Sequence, residues 1–176
     1  TLLSRKWIEG QTVDGGEVYR LNGNEVDPGM MKEAIAENSD DDISIITSDR
    51  EMIAQIPGIG EIMLNYIPEG WENGEYKYSR MDGTQFYAET YYSKQNQKDI
   101  RYRSVSFENM DSVSNEIQQD AAGIEKRINE VNVYFTNNNE VAVATWNIDL
   151  SNYTLFAPVS EEEMQKMIES IKEVNK

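Results

Sequence analysis

The residues of this sequence that could do chemistry are its carboxylates, because the sequence contains no histidine and no cysteine. That composition excludes thiol and imidazole nucleophiles and bases, the usual zinc, copper and haem ligand sets, and disulfide bonds. Paired Asp and Glu residues can still hydrolyse glycosides, and 32 acidic residues supply many chance pairs. Because carboxylates on such an acidic chain are ordinarily surface groups, we predict no enzyme and no catalytic residue.

The densest acidic run, Asp40-Asp41-Asp42 after Ser39, is the part of the sequence that most resembles a metal site. Ca²⁺ binds many oxygen ligands, but a calcium loop spaces its acidic residues at alternate positions and includes a glycine turn. That spacing is missing here. We therefore predict a solvated loop with charge repulsion, and no metal ligand.

The run Pro57-Gly58-Ile59-Gly60 could suggest a phosphate-binding loop, but it has neither the Gly-Lys-Ser/Thr ending nor the longer spacing of such loops. We interpret it as a connector that breaks the element before it. We accordingly predict no cofactor and no cofactor-binding residue.

Length and composition predict a folded domain that does not bind nucleic acid. The 176 residues suit one domain of ordinary size, and 39% hydrophobic residues with 10 Tyr, 4 Phe and 3 Trp can build a core. The formal net charge is −16, and no basic cluster interrupts the acidic sequence. Phosphate backbones and anionic lipid surfaces would therefore be repelled.

The start of the chain bears on where the protein is found. No stretch approaches the ~20 apolar residues of a membrane span, and the first residues do not form a signal peptide. The sequence begins at Thr1 rather than Met, which we interpret as a processed or shortened start. We expect a signal or membrane anchor to have been removed upstream, so that the protein meets the membrane only through that anchor.

The sequence pattern of residues 1 to 62 predicts a pair of strands followed by short helical segments. Asn22-Gly23 suits a hairpin turn, because both residues tolerate positive φ. Asp27 before Pro28 is typical of a helix start. In order, the predicted elements are a hairpin around residues 17–26, a helix to about 38, a buried strand at 43–47, and a helical turn through Met52, Ile53 and Ile56 capped by Ser48 or Asp49.

From Ile62 onward the pattern is mostly that of β-strands. Tyr76, Tyr78 and Arg80 alternate, and alternation indicates a sheet with one covered face. In order, we predict an extended segment at 62–67, a hairpin of strands around 76–80 and 86–92, a strand at 100–107, a helix at 111–123 with Val113, Ile117 and Ile124 on one stripe, a strand at 128–135, a turn at Asn137-Asn138-Asn139, and strands at 141–146 and 153–156.

The end of the chain predicts an amphipathic helix that closes near Glu169-Ser170-Ile171. Ser160 and Glu163 form a capping box pattern. A stripe of apolar residues follows at helical spacing: Met164, Met167, Ile168, Ile171 and Val174. Methionines can form an adaptable binding surface, but a stripe with this spacing favours a core face that lies on the sheet.

Four segments together resemble the bacterial family called domain of unknown function 4367. They are Asn65-Tyr66-Ile67-Pro68-Glu69-Gly70-Trp71, the strand of Trp146, the run Tyr153-Thr154-Leu155, and residues 160–171. The resemblance covers about residues 64 to 173. One departure is Asn129-Glu130, where the family commonly has Asn-Gly.

The resemblance implies an extracytoplasmic, anchored protein. Members of the family typically follow a single membrane span in anti-sigma-factor-like proteins, or belong to envelope lipoproteins of Gram-positive bacteria. We therefore predict a non-enzymatic domain of a membrane-anchored or lipid-anchored envelope protein that senses or binds a partner or ligand.

A more distant resemblance gives an alternative. In lipoprotein-carrier folds a curved antiparallel sheet wraps helices and leaves an apolar groove, so the alternative is a carrier of a lipid or other apolar ligand between sheet and helices. The abundant Tyr, Trp and Met residues could line such a groove, although the same residues also fill an ordinary core.

The predicted fold class is α+β, with a curved antiparallel β-sheet, a C-terminal helix packed on it, and a smaller N-terminal segment of hairpin and helix. We divide the chain into an unassigned N-terminal part, residues 1–62, and an antiparallel-sheet domain, residues 63–176. The predicted partners are a protein or a small apolar ligand.

Overall fold

Antiparallel pairing joins ten strands of the described chain into one sheet. The structure is a computed structural model that describes residues 17–37, 40–82, 85–106, 123–138 and 140–176. In chain order the strands are β1 (Val18–Leu21), β2 (Asn24–Glu25), β3 (Ile43–Thr47), β4 (Glu72–Met81), β5 (Gln85–Ser93), β6 (Ile100–Ser106), β7 (Ile124–Ile128), β8 (Val131–Asn138), β9 (Val141–Ile148) and β10 (Ser151–Ala157). Their order across the sheet is β2-β1-β3-β4-β5-β6-β10-β9-β8-β7.

The helices of the described chain come before β4 and after β10. They are α1 (Pro28–Ala36), α2 (Arg50–Ala54), α3 (Ile59–Ile62), α4 (Glu161–Glu169) and a closing 3₁₀ turn (Lys172–Asn175). A large antiparallel sheet with a few helices, one of them C-terminal, confirms the predicted α+β class. None of these helices has the length and apolar character needed to span a membrane.

Two aspartates begin the N-terminal helices as the sequence predicts. Asp27 accepts a hydrogen bond from the backbone N–H of Met30 at 2.8 Å, with Pro28 in the first turn. Asp49, rather than Ser48, caps α2 by accepting from the N–H of Glu51 at 3.0 Å. Such caps satisfy N–H groups that have no partner within the helix.

The sheet has an inner face, which packs against the helices, and an outer face on the opposite side. Inner-face rings stack across three strands: Trp146 lies 6.1 Å from Tyr102 and 5.6 Å from Tyr153, measured between ring centroids. The hydroxyl of Tyr102 donates to the carbonyl of Ile62 in α3 at 2.6 Å. The inner face and the described helices therefore share one hydrophobic core.

The closing helix buries the predicted apolar stripe. Met164, Met167 and Ile168 are fully buried, as are Ile171 and Val174 beyond the helix. The stripe is therefore core, which confirms the prediction. The helix itself ends at Glu169, so Val174 lies in the separate 3₁₀ turn rather than in the helix.

Only half of the predicted capping box forms at the start of α4. The Ser160 hydroxyl accepts from the N–H of Glu163 at 3.2 Å. The Glu163 carboxylate, however, binds the hydroxyl of Tyr66 at 2.7 Å and the ammonium of Lys166 at 3.3 Å. The tertiary contact with Tyr66 thus occupies the carboxylate that the sequence pattern assigned to Ser160.

The segment between α3 and β4 forms hydrogen bonds with the end of the last helix, α4. The backbone N–H of Asn65 donates to the Ser170 hydroxyl at 2.9 Å, and the Asn65 side-chain amide donates to the Ser170 carbonyl, also at 2.9 Å. Carbonyls at a helix end lack partners within the helix, so the amide satisfies one of them. Two of the segments that carry the family resemblance therefore contact each other and stabilise the fold.

Some local predictions are wrong. Residues 57–60 are more than a connector, because α3 begins at Ile59 after Gly58, which takes a φ of +87°. Ile124 does not lie on a helical stripe but begins β7, where it pairs with Phe135. The rest of the helix predicted at 111–123 lies outside the described residues, apart from Gly123, which immediately precedes β7.

The structure modifies three further predictions. Ile62 ends α3 rather than starting an extended segment. The predicted asparagine turn is shorter, since β8 continues to Asn138. At the departure from the family pattern, β7 and β8 still form a tight hairpin, with Asn129 at a φ of +54°. Asparagine tolerates this left-handed conformation better than most residues.

The predicted division at residue 62 falls where α3 ends. Strands from both sides of it pair directly, for example Ile45 of β3 with Tyr78 of β4. Buried residues from both sides also belong to the one core. The division into an N-terminal part and an antiparallel-sheet domain stays a prediction.

We predict that Tyr66→Phe reduces stability at neutral pH and that the reduction shrinks in acid. The hydrogen bond from Tyr66 lowers the pKa of Glu163 below its usual value. A lowered carboxyl pKa contributes stability that is present above the unfolded pKa and lost as pH falls through the folded pKa. Thermal unfolding of wild type and variant at pH 7 and below pH 4 checks this.

Tyr134→Phe is the matched control, because it removes the hydroxyl of a partly exposed tyrosine on the outer face of the sheet, whereas the helix of Glu163 packs on the inner face. A difference in melting temperature between wild type and Tyr66→Phe that stays constant from pH 7 to pH 3 would contradict the role of Glu163.

Candidate functional site

One row of outer-face residues crosses the middle of the sheet. Strand register places Lys77 of β4 opposite Glu89 of β5, Glu89 opposite Arg103 of β6, and Arg103 opposite Thr154 of β10. Thr154 in turn pairs with Thr145 of β9. Side chains at alternate positions share a face, so these five residues point to the same side, away from the core.

Glu89 is the buried carboxylate of this face, with 6% of its surface exposed. Tyr87 and Tyr91 flank it two positions away on the same strand. Both hydroxyls donate to the Glu89 carboxylate, that of Tyr87 at 2.5 Å. A buried carboxylate is expensive unless charged or polar groups satisfy it, and here the two tyrosines do so.

Strand register places three cationic residues next to Glu89 on the neighbouring strands. Arg103 lies opposite Glu89 and Arg101 lies opposite Tyr91 in the register. The Arg101 guanidinium lies 4.2 Å above the ring of Phe156, and the Lys77 ammonium lies 4.9 Å from the ring centre of Tyr91. These are cation–π distances. We name Lys77, Tyr87, Glu89, Tyr91, Arg101 and Arg103 the Glu89 cluster.

The tyrosines of the cluster are hydrogen-bond donors rather than nucleophiles. Burial, and then the hydrogen bond to Glu89, raise the pKa of Tyr87 above its usual value, and the same two causes raise the pKa of Tyr91. Both hydroxyls therefore keep their protons at neutral pH. The cluster can hold a fixed arrangement of rings and charges, but its tyrosines are poorly suited to nucleophilic attack.

The outer face continues as a polar ladder on β9 and β10. The Asn152 amide donates to the Thr145 hydroxyl at 3.2 Å and to the Asn147 side-chain carbonyl at 3.0 Å. The Thr154 hydroxyl donates to the Asn152 side-chain carbonyl at 3.3 Å. Asn152 and Thr154 are buried despite facing away from the core. Their mutual bonds supply the partners that buried polar groups require.

The acidic run Asp40-Asp41-Asp42 acts as a connector in the structure. The Asn22 amide donates to the Asp41 carboxylate at 3.1 Å, and the N–H of Asp82 donates to the Asp42 carboxylate at 3.1 Å. Arg80 donates to the Asp41 carbonyl at 3.1 Å. Within the described ranges no group of three or more Asp or Glu residues is placed to hold a metal ion.

A cavity between the sheet and the helices bears on the carrier alternative. It measures about 20 Å³ and lies among Ile53, Ile59, Ile62, Tyr76, Tyr102 and Ser104. A space of this size holds roughly one water molecule. This cavity is therefore too small for an acyl chain, and the aromatic residues around it belong to the packed core.

Sequence reasoning assigned no site residue and so missed the Glu89 cluster. The signal is present, because Tyr87, Glu89 and Tyr91 alternate on one strand and Arg101 and Arg103 alternate on the next. The sequence also showed no basic cluster along the chain. Lys77 and the pair of Arg101 and Arg103 lie on either side of Glu89 only because β4, β5 and β6 pair in this register.

Comparison with known proteins gives one finding. The model of the family described as Domain of unknown function (DUF4367) matches residues 61–171, which agrees with the segments that carry the resemblance. A search of curated proteins and a search of solved structures each found no match.

We predict that Glu89→Ala destabilises the protein by about 2–4 kcal/mol, because it leaves the hydroxyls of Tyr87 and Tyr91 without their acceptor. Glu89→Gln should cost less, since its amide oxygen still accepts a hydrogen bond. Urea unfolding followed by tryptophan fluorescence measures both values.

Glu75→Ala is the matched control for Glu89→Ala. Its carboxylate lies on the neighbouring strand, 32% exposed and 3.7 Å from the Lys77 ammonium. Exposed ion pairs contribute at most about 1 kcal/mol. Equal losses from Glu75→Ala and Glu89→Ala would show that the Glu89 cluster is an ordinary surface network.

Proposed function

Because the chain belongs to the family of domains of unknown function DUF4367, we propose that it is a non-enzymatic, extracytoplasmic domain of a bacterial envelope protein. The proposal includes anchoring by a membrane span or a lipid, as in the anti-sigma-factor-like and lipoprotein members that the family resemblance suggests. The domain senses or binds a protein partner, and its outer face is the binding surface.

The Glu89 cluster is the observation that carries the binding proposal. Tyrosine and arginine are enriched at protein interfaces, where their large side chains combine apolar contact with hydrogen bonds. Here Tyr87, Tyr91, Arg101 and Phe156 are partly exposed on neighbouring strands, and their mutual contacts fix their orientation. Side chains that are ordered before binding lose less entropy when a partner docks.

The chemistry of the cluster favours binding over catalysis. Glu89 accepts from two tyrosines, so each of its carboxylate oxygens already holds one hydrogen bond. The raised pKa values of Tyr87 and Tyr91 keep both groups protonated. The sequence offers no histidine or cysteine to act beside them. The carrier alternative has no comparable observation in its favour and stays a prediction.

The location can be tested in intact cells with single cysteines, because these 176 residues contain none. Leu150→Cys lies at a position that is 39% exposed, and Ala144→Cys lies at a fully buried one. In the full-length protein, a membrane-impermeant maleimide should label Leu150→Cys in intact cells and Ala144→Cys only after denaturation. Labelling of Leu150→Cys only after lysis would refute an extracytoplasmic location.

The binding surface can be tested in the same cells by photo-crosslinking. A photo-reactive amino acid at Ser79, which pairs with Tyr87, or at Val143, which pairs with Phe156, stands beside the cluster on the outer face. Met30 on α1 is 50% exposed and serves as the control position. We expect both outer-face positions to give the same adduct and Met30 to give none.

Equal adducts from Met30 and from the outer-face positions would contradict an outer-face binding surface, as would the absence of any adduct at Ser79 and Val143.

A further inference from the structure

A second concave feature lies at the edge of the core, away from the Glu89 cluster. It is a pocket of about 220 Å³ between the start of α2, the segment before β4, and the β4–β5 pair. We name it the Arg50 pocket. Its floor is formed by buried Leu64, Tyr76 and Tyr92, and its rim by exposed Arg50, Tyr66 and Asn73.

Three acceptor groups at the Arg50 pocket already accept hydrogen bonds. The Arg50 guanidinium donates to the Leu64 carbonyl at 3.0 Å and to the Asn65 side-chain carbonyl at 2.9 Å. The Tyr76 hydroxyl donates to the side-chain carbonyl of Asn73 at 2.7 Å. These bonds fix Arg50 and Asn73 at the rim, and the side-chain carbonyls of Asn65 and Asn73 each accept one hydrogen bond.

The donors at the rim are in excess. Arginine has five N–H donors and an asparagine side chain has two. Arg50 uses two of its five, and no described residue accepts from the other three or from the Asn73 amide. The rim therefore presents several N–H groups and one positive charge, while the walls are aromatic and aliphatic. A carboxylate on an apolar body matches both properties.

We propose that the Arg50 pocket binds a small organic carboxylate, with the carboxylate between Arg50 and Asn73 and a flat apolar part against Tyr66 and Ile67. The pocket volume is below the ~300–1000 Å³ of sites for drug-sized ligands, which limits the bound group to roughly ten non-hydrogen atoms. The carboxylate can belong to a free small acid or to the C-terminal residue of a peptide. This site is separate from the proposed outer-face binding surface and does not depend on it.

The test is an NMR titration of the 176-residue chain with benzoate, using benzamide as the uncharged analogue. We expect saturable shifts of the backbone amides of residues 64–67 and 73, with a Kd of about 1 mM for so small a ligand. Benzamide should bind at least about tenfold more weakly, since a hydrogen bond to a charged group is lost.

Three variants locate the binding. Arg50→Gln and Asn73→Leu should each weaken benzoate binding, the first by about tenfold or more. Arg127→Gln is the control, because Arg127 is an exposed arginine that pairs with Glu130 in the distant β7–β8 hairpin. Since Arg50 also holds residues 64 and 65, Asn73→Leu tests the site with that contact intact.

The site is refuted if benzamide and benzoate bind equally, if no amide shift saturates, or if Asn73→Leu and Arg50→Gln both bind as the wild type does.

A peptide that ends in Phe, compared with its amidated form, distinguishes the two sources of the carboxylate. If the free-acid peptide binds more tightly than benzoate and the amidated peptide does not, the natural ligand is a peptide C-terminus. If the free-acid peptide binds more weakly than benzoate, the natural ligand is a free small acid. Failure at this pocket leaves the labelling and crosslinking results unchanged, so the two proposals fail separately.

Discussion

The pairing of β6 with β10 is the interaction on which the rest of the sheet depends. It joins two series of antiparallel strands, β4-β5-β6 and β7-β8-β9-β10, that are otherwise built from neighbouring segments. The same seam brings Tyr102 beside Trp146 and Tyr153 on the inner face. It also places Arg101 over Phe156 on the outer face. The pairing of β6 with β10 therefore assembles both the core and the candidate binding surface.

The contrast between the two faces follows from the alternation of side chains along each strand. Inner-face positions hold large apolar and aromatic residues that the helices cover, so apolar packing stabilises that face. Outer-face positions on β5 and β6 hold Glu, Arg and Tyr: the two tyrosines donate hydrogen bonds to Glu89, and Arg101 makes a cation–π contact with Phe156. Hydrogen bonds within the network hold its side chains in place, and side chains that are ordered before binding lose less entropy when a partner docks.

The segment at residues 64–71 contributes both to the stability of the fold and to the Arg50 pocket. Asn65 and Tyr66 hold the last helix through Ser170 and Glu163. Arg50 holds the same segment from the other side through Leu64 and Asn65. This part of the family resemblance is explained first by stability, since it connects residues about 100 positions apart. The N–H donors of Arg50 and Asn73 that these contacts do not use make the Arg50 pocket suitable for a carboxylate.

The sequence by itself determined the local structure and the family. Caps at Asp27 and Asp49, the Asn22-Gly23 turn, the alternation at Tyr76, Tyr78 and Arg80, and the apolar stripe of the last helix are all recognisable because they depend on residues within a few positions of one another. The segments of the resemblance were sufficient to identify the family that matches residues 61–171.

Only the tertiary structure decided which distant residues meet. No local pattern specifies that β10 pairs with β6 or that Arg103 lies opposite Glu89. Nor does one specify that the Glu163 carboxylate accepts a hydrogen bond from Tyr66 instead of from the backbone of Ser160. The energy of each of these contacts comes from groups that are far apart in sequence. Strand order and register decide whether they can meet, because a shift of one residue would turn Glu89 to the other face.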